Sequence, residues 1–190
     1  MKKTVIYFIR HGEVHNPKNV LYGRLPKFPL TPKGREDIKL LAQRLKNEGI
    51  THIYTSPMRR TRETAQIISE VLRIKPQISL YLIETYDIHR GMPSSIFRQK
   101  IEPKLYSRKY ILKGQESIES QAERMLKFIN KVKKLHKGEK VIAVSHGDPI
   151  MITKAHLSGE KFTYDYKKEN YIKKGDYFIL EINGGYKWTK

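Results

Sequence analysis

Cysteine is absent from this chain of 190 residues. That removes disulfides, thiolate metal sites and cysteine nucleophiles, and it fits an intracellular, cytoplasmic protein. Acidic residues are scarce: 19 Asp and Glu stand against 38 Lys and Arg, a formal net charge of +19. A long apolar run is missing at the N-terminus, where Met1-Lys2-Lys3 starts like a signal peptide but the following Thr4-Val5-Ile6-Tyr7-Phe8-Ile9 stops at Arg10. Six residues are too few for a signal-peptide core or a membrane span, so no membrane association is expected. Carboxylates at ligand spacing around His11, His15 and His146 are lacking too, which argues against a metal hydrolase built on these histidines. There is no low-complexity segment.

What is present begins with that apolar run. A β-branched and aromatic stretch bounded by Gly reads as a buried strand of a parallel sheet, and it ends in Arg10-His11-Gly12-Glu13. The pattern recurs where Lys140-Val141-Ile142-Ala143-Val144 runs into Ser145-His146-Gly147-Asp148. Open α/β sheets bind ligands at the carboxyl edge of their strands, so two parallel strands of this kind would open His11 and His146 onto one crevice. A glycine after each histidine lets the backbone turn sharply and approach a ligand closely.

Between and after these strands the chain alternates. A loop from Val14 to Leu30 is long enough to be functional. Thr31-Pro32 starts a helix carrying Ile38, Leu41, Ala42 and Leu45. A strand over His52–Thr55 leads to Ser56-Pro57, a second cap-plus-proline start, and a third strand is expected over Gln77–Ile83. From Glu84 to Gly114 the periodicity fades. Ser117 then opens the longest helical pattern, ended by Gly138; the strand before His146, a helix from about Pro149 to Leu157 and a hairpin over Tyr177–Trp188 complete the order. This order predicts an α/β fold, a three-layer α/β/α sandwich with a mostly parallel central sheet. One domain over 1–190 is expected, burying roughly 70% of the surface its unfolded chain exposes, with residues about 85–113 as an inserted lid and a monomer or homodimer as the assembly. The lid interleaves Arg90, Arg98, Lys100, Lys104, Arg108, Lys109 and Lys113 with Phe97, Tyr106 and Tyr110, which suits a substrate with a second anionic group or a stackable base, or else forms a solvated basic face.

Histidine at a strand end beside arginine suits attack on phosphorus. Neutral imidazole is a nucleophile near pH 7 when one ring nitrogen is held by a hydrogen bond, and arginine clamps phosphoryl oxygens. Further cations come from Arg59, Arg60 and Arg62 at a helix start, where the dipole favours an anion. Glu84, at the end of the third strand, is the preferred proton donor, with Asp87 and Glu13 as rivals.

In this order, Arg10-His11-Gly12-Glu13, the block Ser56-Pro57-Met58-Arg59-Arg60-Thr61-Arg62-Glu63-Thr64-Ala65 and Ser145-His146-Gly147 resemble the histidine phosphatase superfamily, the phosphoglycerate mutase-like proteins. Leu30-Thr31-Pro32-Lys33-Gly34 and Gly114-Gln115-Glu116-Ser117 with Arg124 also look like this family. The resemblance implies a phosphomonoesterase with His11 as the phosphorylated nucleophile. Arg10, Arg60 and a protonated His146 complete the phosphate pocket, and Glu84 serves as acid and then base. It places Asn16, Gly23, Arg24 and Gly147 at the substrate. It implies no cofactor, no metal, and a small phosphorylated substrate. After Glu84, where many family phosphatases reach Trp-Glu-Gly, this chain reads Thr85-Tyr86-Asp87-Ile88-His89-Arg90-Gly91. The chain is also shorter than the cofactor-dependent mutases, which favours hydrolysis over phosphoryl transfer to a second hydroxyl. The rival from another class is a basic nucleic-acid-binding protein with steeply salt-dependent binding, although no recognised nucleic-acid motif accompanies the charge.

Overall fold

The computed structural model describes residues 3–189; Met1 and Lys2 of the basic start, and Lys190, lie outside the described residues. In chain order the elements are β1 (Thr4–Arg10), α1 (Pro32–Leu45), β2 (Ile50–Thr55), α2 (Arg59–Leu72), β3 (Pro76–Ile78), α3 (Ser94–Ile96), α4 (Arg108–Ile111), α5 (Ile118–Leu135), β4 (Lys140–Ser145), α6 (Gly147–Leu157), α7 (Tyr164–Asn170), β5 (Tyr177–Ile182) and β6 (Tyr186–Thr189). They form one sheet in the order β3-β2-β4-β1-β5-β6. The pairs β3·β2, β2·β4 and β4·β1 are parallel; β1·β5 and β5·β6 are antiparallel.

The strands next to the histidines are apolar throughout because both faces of the sheet are covered. Ile6 and Phe8 of β1, with Val141 and Ala143 of β4, pack against Met125, Phe128 and Ile129 of α5 and Met151 of α6. Val5, Tyr7 and Ile9, with Ile142 and Val144, face Ile38 and Leu41 of α1 and Ile68 of α2. The period-two alternation of β1 is thus split between two cores, which is the expected three-layer sandwich. The β1·β4 register pairs Arg10 with Ser145. The residue after each is histidine, so two positions far apart in the chain leave the sheet side by side.

Local starts and stops differ from expectation in instructive places. Thr31 caps α1 as expected, its hydroxyl accepting from the Gly34 amide at 2.9 Å. Ser56, in contrast, does not cap α2, which begins at Arg59 with Met58 in the cap position and no side-chain cap bond. The Ser56 hydroxyl is taken instead by the His146 ring. The third strand ends at Ile78, because the Ser79 amide makes its last bond to the sheet, to the Thr55 carbonyl. The chain then turns through a 3₁₀ helix, Leu80–Leu82, with Leu80 exposed and Leu82 buried. Glu84 is delivered by that turn and not by a strand end. α6 starts at Gly147, two residues before Pro149, with His146 as its cap residue. α7 and its flanks carried no sequence signal strong enough to read.

Candidate active site

His11 is 1% exposed and held at both ring nitrogens. Its Nδ1 lies 2.8 Å from the Gly12 carbonyl oxygen, and its Nε2 lies 3.2 Å from Arg60 Nε. A carbonyl only accepts and a guanidinium only donates. His11 is therefore the neutral tautomer with the proton on Nδ1 and the lone pair on Nε2. Burial, then the charges of Arg60 and Arg10, hold its pKa well below the ordinary histidine value, so it stays neutral into mild acid.

Arg60 sits at the centre, itself 1% exposed. Besides His11 it donates to the Gly23 carbonyl (2.9 Å), to His146 Nδ1 (3.0 Å) and to Glu84 Oε2 (3.4 Å), and its guanidinium covers the Tyr22 ring at 4.8 Å. Because Nδ1 of His146 accepts from Arg60, its proton is on Nε2, which donates to Ser56 Oγ at 2.8 Å. This corrects the expectation of a protonated His146: full burial, and then Arg60 beside it, push its pKa well down. The His11 and His146 rings lie 5.3 Å apart. Arg10 donates from Nη1 to the Ile172 carbonyl at 2.7 Å and stacks over Tyr171 at 4.8 Å, while its buried Nε has no partner.

Glu84 reaches the same spot, its Oε2 3.4 Å from His146 Nδ1 and its Oε1 accepting from the Thr85 amide at 2.9 Å. Burial raises its pKa; Arg60 opposes the rise and Asp148 adds to it. His11, His146 and Glu84 offer donor atoms within 4.8 Å of one another, the spacing of a metal site. The Arg60 guanidinium donates to all three, so a dication would meet a fixed positive charge at that point. Of the rival acids, Asp87 is buried and held by His89, whose amide and ring approach its Oδ1 at 2.8 and 3.1 Å. Glu13 is exposed and accepts from the Thr31 hydroxyl.

Of the residues expected at the phosphate and the substrate, Arg10, Asn16, Gly23 and Glu84 line the cavity, whereas Arg24 and Gly147, like the buried His11, Arg60 and His146, are not among its lining residues. Asn16 ties its own loop, bonding the Val20 backbone in both directions. Gly23 orients Arg60 through its carbonyl. Arg24 donates to the Glu84 backbone carbonyl at 2.6 Å and to Glu116 at 2.8 Å, so it supports the segment that carries Glu84.

The two glycines after the histidines do not have positive φ. What they supply is room. A Cβ on Gly12 would stand 2.9 Å from the Gly34 carbonyl oxygen and from Ile38, and one on Gly147 would collide with the hydroxyl and ring of Tyr171. Tyr171 cannot retreat without losing its 2.6 Å bond to Asp148. Gly147→Ala should therefore destabilise the fold by about 1–3 kcal/mol, measured by urea unfolding, and should lower activity as well.

The cavity beside these groups has a volume of about 630 Å³. Its far wall is a buried polar cluster that the sequence did not announce. Asp148 accepts from Tyr106 and Tyr171 (2.6 Å each) and from Lys167 (2.8 Å), which also pairs with Glu102 (2.8 Å). Burial pushes the Asp148 carboxyl up, but Lys167 and the two phenols outweigh it and leave the group below its ordinary value. The cluster joins the lid (Glu102, Tyr106) to α6 and α7. Of the seven Lys and Arg residues in the 85–113 segment only Arg98 lines the cavity, together with Lys168 and Lys174. Thr163, whose hydroxyl caps α7, is the residue type that could have marked its start.

A profile of the histidine phosphatase superfamily (branch 1) matches residues 6–188. The probable phosphoglycerate mutase GpmB of Photorhabdus laumondii is 34% identical over 155 residues, 75% of this chain and 69% of that protein. Phosphoserine phosphatase 1 of Hydrogenobacter thermophilus is 30% identical over 164 residues, 81% and 76% of the two chains. Among solved structures, Bacillus stearothermophilus YhfR superposes with a TM-score of 0.83 at 25% identity, covering 97% of this chain and 94% of its own. Among the described residues no helix is long and apolar enough to cross a membrane.

Proposed function

Since this chain belongs to the histidine phosphatase superfamily, branch 1, we propose that it is a metal-independent phosphomonoesterase working through a phosphohistidine on His11. The observation that carries this reading is the His11 ring itself, with its proton fixed on Nδ1 by the Gly12 carbonyl and its Nε2 lone pair turned toward Arg60. An incoming phosphoryl oxygen replaces Nε2 as the acceptor of the Arg60 N–H. The unpartnered Arg10 Nε takes another oxygen, gaining the acceptor whose absence costs a buried donor about 1–3 kcal/mol. Nε2 then attacks phosphorus, the ester P–O bond breaks, and the Glu84 carboxyl gives its proton to the leaving oxygen. In the second half a water attacks the phosphohistidine, its proton passes to the Glu84 carboxylate, and the P–N bond breaks to release inorganic phosphate. No step needs a metal, so activity should survive chelators.

The substrate we favour carries a second anionic group. Asp148 and Glu102 share the one cation Lys167, whereas Arg98, Lys168 and Lys174 line the cavity with no carboxylate partner among the ion pairs of the described residues. Burial, and then the like charge of Arg10, lower the Lys174 pKa; the Glu13 carboxylate opposes this and Arg98 adds to it. The test is a panel of phosphomonoesters with and without a second carboxylate or phosphate. Lys174→Ala and Arg98→Ala should each raise KM for the doubly anionic members by roughly threefold to fivefold, the scale of an exposed ion pair, and leave kcat and the singly anionic members unchanged. Equal KM changes across the panel would remove the second-anion reading while leaving the phosphatase reading standing. The likeness to GpmB keeps mutase-type transfer as the alternative; supplying a phosphoglycerate with a trace of bisphosphate and finding isomerisation faster than phosphate release would favour it.

A further inference from the structure

At the opposite edge of the sheet from His11, three side chains converge that phosphoryl chemistry does not use: His52 at the start of β2, His136 just after α5, and Glu139 just before β4. We propose that they form a second, independent site for a divalent transition-metal ion, with zinc as the best match to two imidazoles and one carboxylate.

The donor geometry supports this. Glu139 Oε2 lies 3.0 Å from His52 Nδ1 and 3.7 Å from His136 Nδ1. Zinc bonds of 2.0–2.1 Å in a tetrahedron set donors about 3.3 Å apart, so the two separations bracket that edge. The longer one exceeds hydrogen-bond reach, and His136 Nδ1 makes no other hydrogen bond among those of the described residues. Its other nitrogen, Nε2, lies 2.8 Å from the hydroxyl of the buried Tyr54. When Nε2 carries the proton and donates it to this hydroxyl, the contact orients the ring as an outer contact does for a metal-binding histidine and leaves the Nδ1 lone pair for the ion. The Thr51 hydroxyl donates to Glu139 Oε2 at 2.7 Å and fixes the carboxylate in the same way; it also lies 2.9 Å from His52 Nδ1, a contact the ion would replace. His52 and Glu139 are half-exposed, which leaves a side open for entry and for a water in the fourth position.

The surroundings set the strength. The two rings are 3.9 Å apart and must splay slightly to share an ion, and Lys131, over the Tyr54 ring at 5.8 Å, opposes a dication. Micromolar binding is the expectation. Four residue steps along the chain, about 13 Å, separate His52 from Ser56 in the active site. The ion would therefore act by tying the α5–β4 turn to β2, not by touching substrate.

The decisive experiment titrates zinc chloride into the untagged chain at pH 7.5, by calorimetry and by thermal shift, for the wild type and for Glu139→Gln, Tyr54→Phe and His11→Ala. One micromolar site is expected, with a zinc-dependent rise in Tm. Glu139→Gln should weaken binding at least about tenfold and Tyr54→Phe by a similar factor, the usual effect of losing an outer contact, whereas His11→Ala should leave it unchanged. Glu139→Gln should keep the metal-free Tm and the metal-free phosphatase rate of the wild type. Absence of binding below about 1 mM would overturn the proposal. So would binding that is lost in His11→Ala and kept in Glu139→Gln, because the ion would then belong to the catalytic cluster. Since the readout is binding, the proposal stands or falls independently of the phosphatase reading.

Discussion

Replacing His11 by Ala should reduce turnover of every phosphomonoester by about four orders of magnitude or more and abolish acid-labile phosphate on the protein. Removal of a nucleophile leaves only the residual effect of the binding groups. The fold should survive. Arg60 Nε loses its His11 acceptor, a cost of about 1–3 kcal/mol for a buried donor, while Nη2 keeps the Gly23 carbonyl, His146 and Glu84, and the truncated ring leaves a space beside Tyr22, whose ring centroid lies 6.4 Å away. Rapid-quench labelling with a radioactive phosphomonoester, alongside an unfolding curve, separates chemistry from folding. Labelled protein in the Ala variant would mean that another residue, His146 being the nearest imidazole, carries the phosphoryl group.

What the sequence disclosed, and what it did not, divides along a physical line. The apolar run before His11 and its repeat before His146 were legible because burial on both faces leaves an unbroken hydrophobic signature, and the parallel register then makes the two histidines neighbours. Arg60 was one of three arginines at a helix start, and the residues alone could not choose among them. The structure separates them by burial: Arg60 is enclosed, whereas Arg59 pairs with Glu63 at the surface. Ser56 was read as a cap because serine before proline is a cap signal; tertiary contact with His146 overrode that local preference. The cluster of Tyr106, Asp148, Lys167 and Tyr171 was invisible because its members come from three separate segments and none stands in a periodic pattern. The contacts of Arg24 were not legible for a related reason. A loop arginine near the site has no sequence mark that says whether it faces ligand or, as here, the Glu84 backbone and Glu116.

Glu84→Gln tests the other half of the chemistry, and the expected result depends on the leaving group. For an alkyl phosphomonoester, whose oxygen must be protonated as it departs, kcat should fall by about 10²–10⁴-fold, the range of general acid catalysis. An aryl phosphate leaves without that proton, so its first step should be nearly spared while hydrolysis of the phosphohistidine, which needs the carboxylate as base, is slowed. The variant should therefore release a burst of aryl alcohol and accumulate labelled His11. The pH profile follows from the two shifts. The His11 pKa is depressed, so its nucleophilic form is present at neutral pH and is lost only well into acid. The Glu84 pKa is raised, so its acid form extends above the ordinary carboxylate range and is lost as pH climbs through the raised value. For alkyl substrates, kcat/KM of the wild type should fall on both sides of that window, and Glu84→Gln should erase the alkaline limb. The amide keeps the size of the carboxyl and one of its two acceptors: turned toward Oε1 its oxygen still takes the Thr85 amide, while the longer 3.4 Å contact from Arg60 to Oε2 is lost. If the alkaline limb persists and alkyl and aryl substrates slow equally, the proton comes from elsewhere, and Asp87, buried on the cavity wall with its own pKa raised by burial, is the residue to replace next.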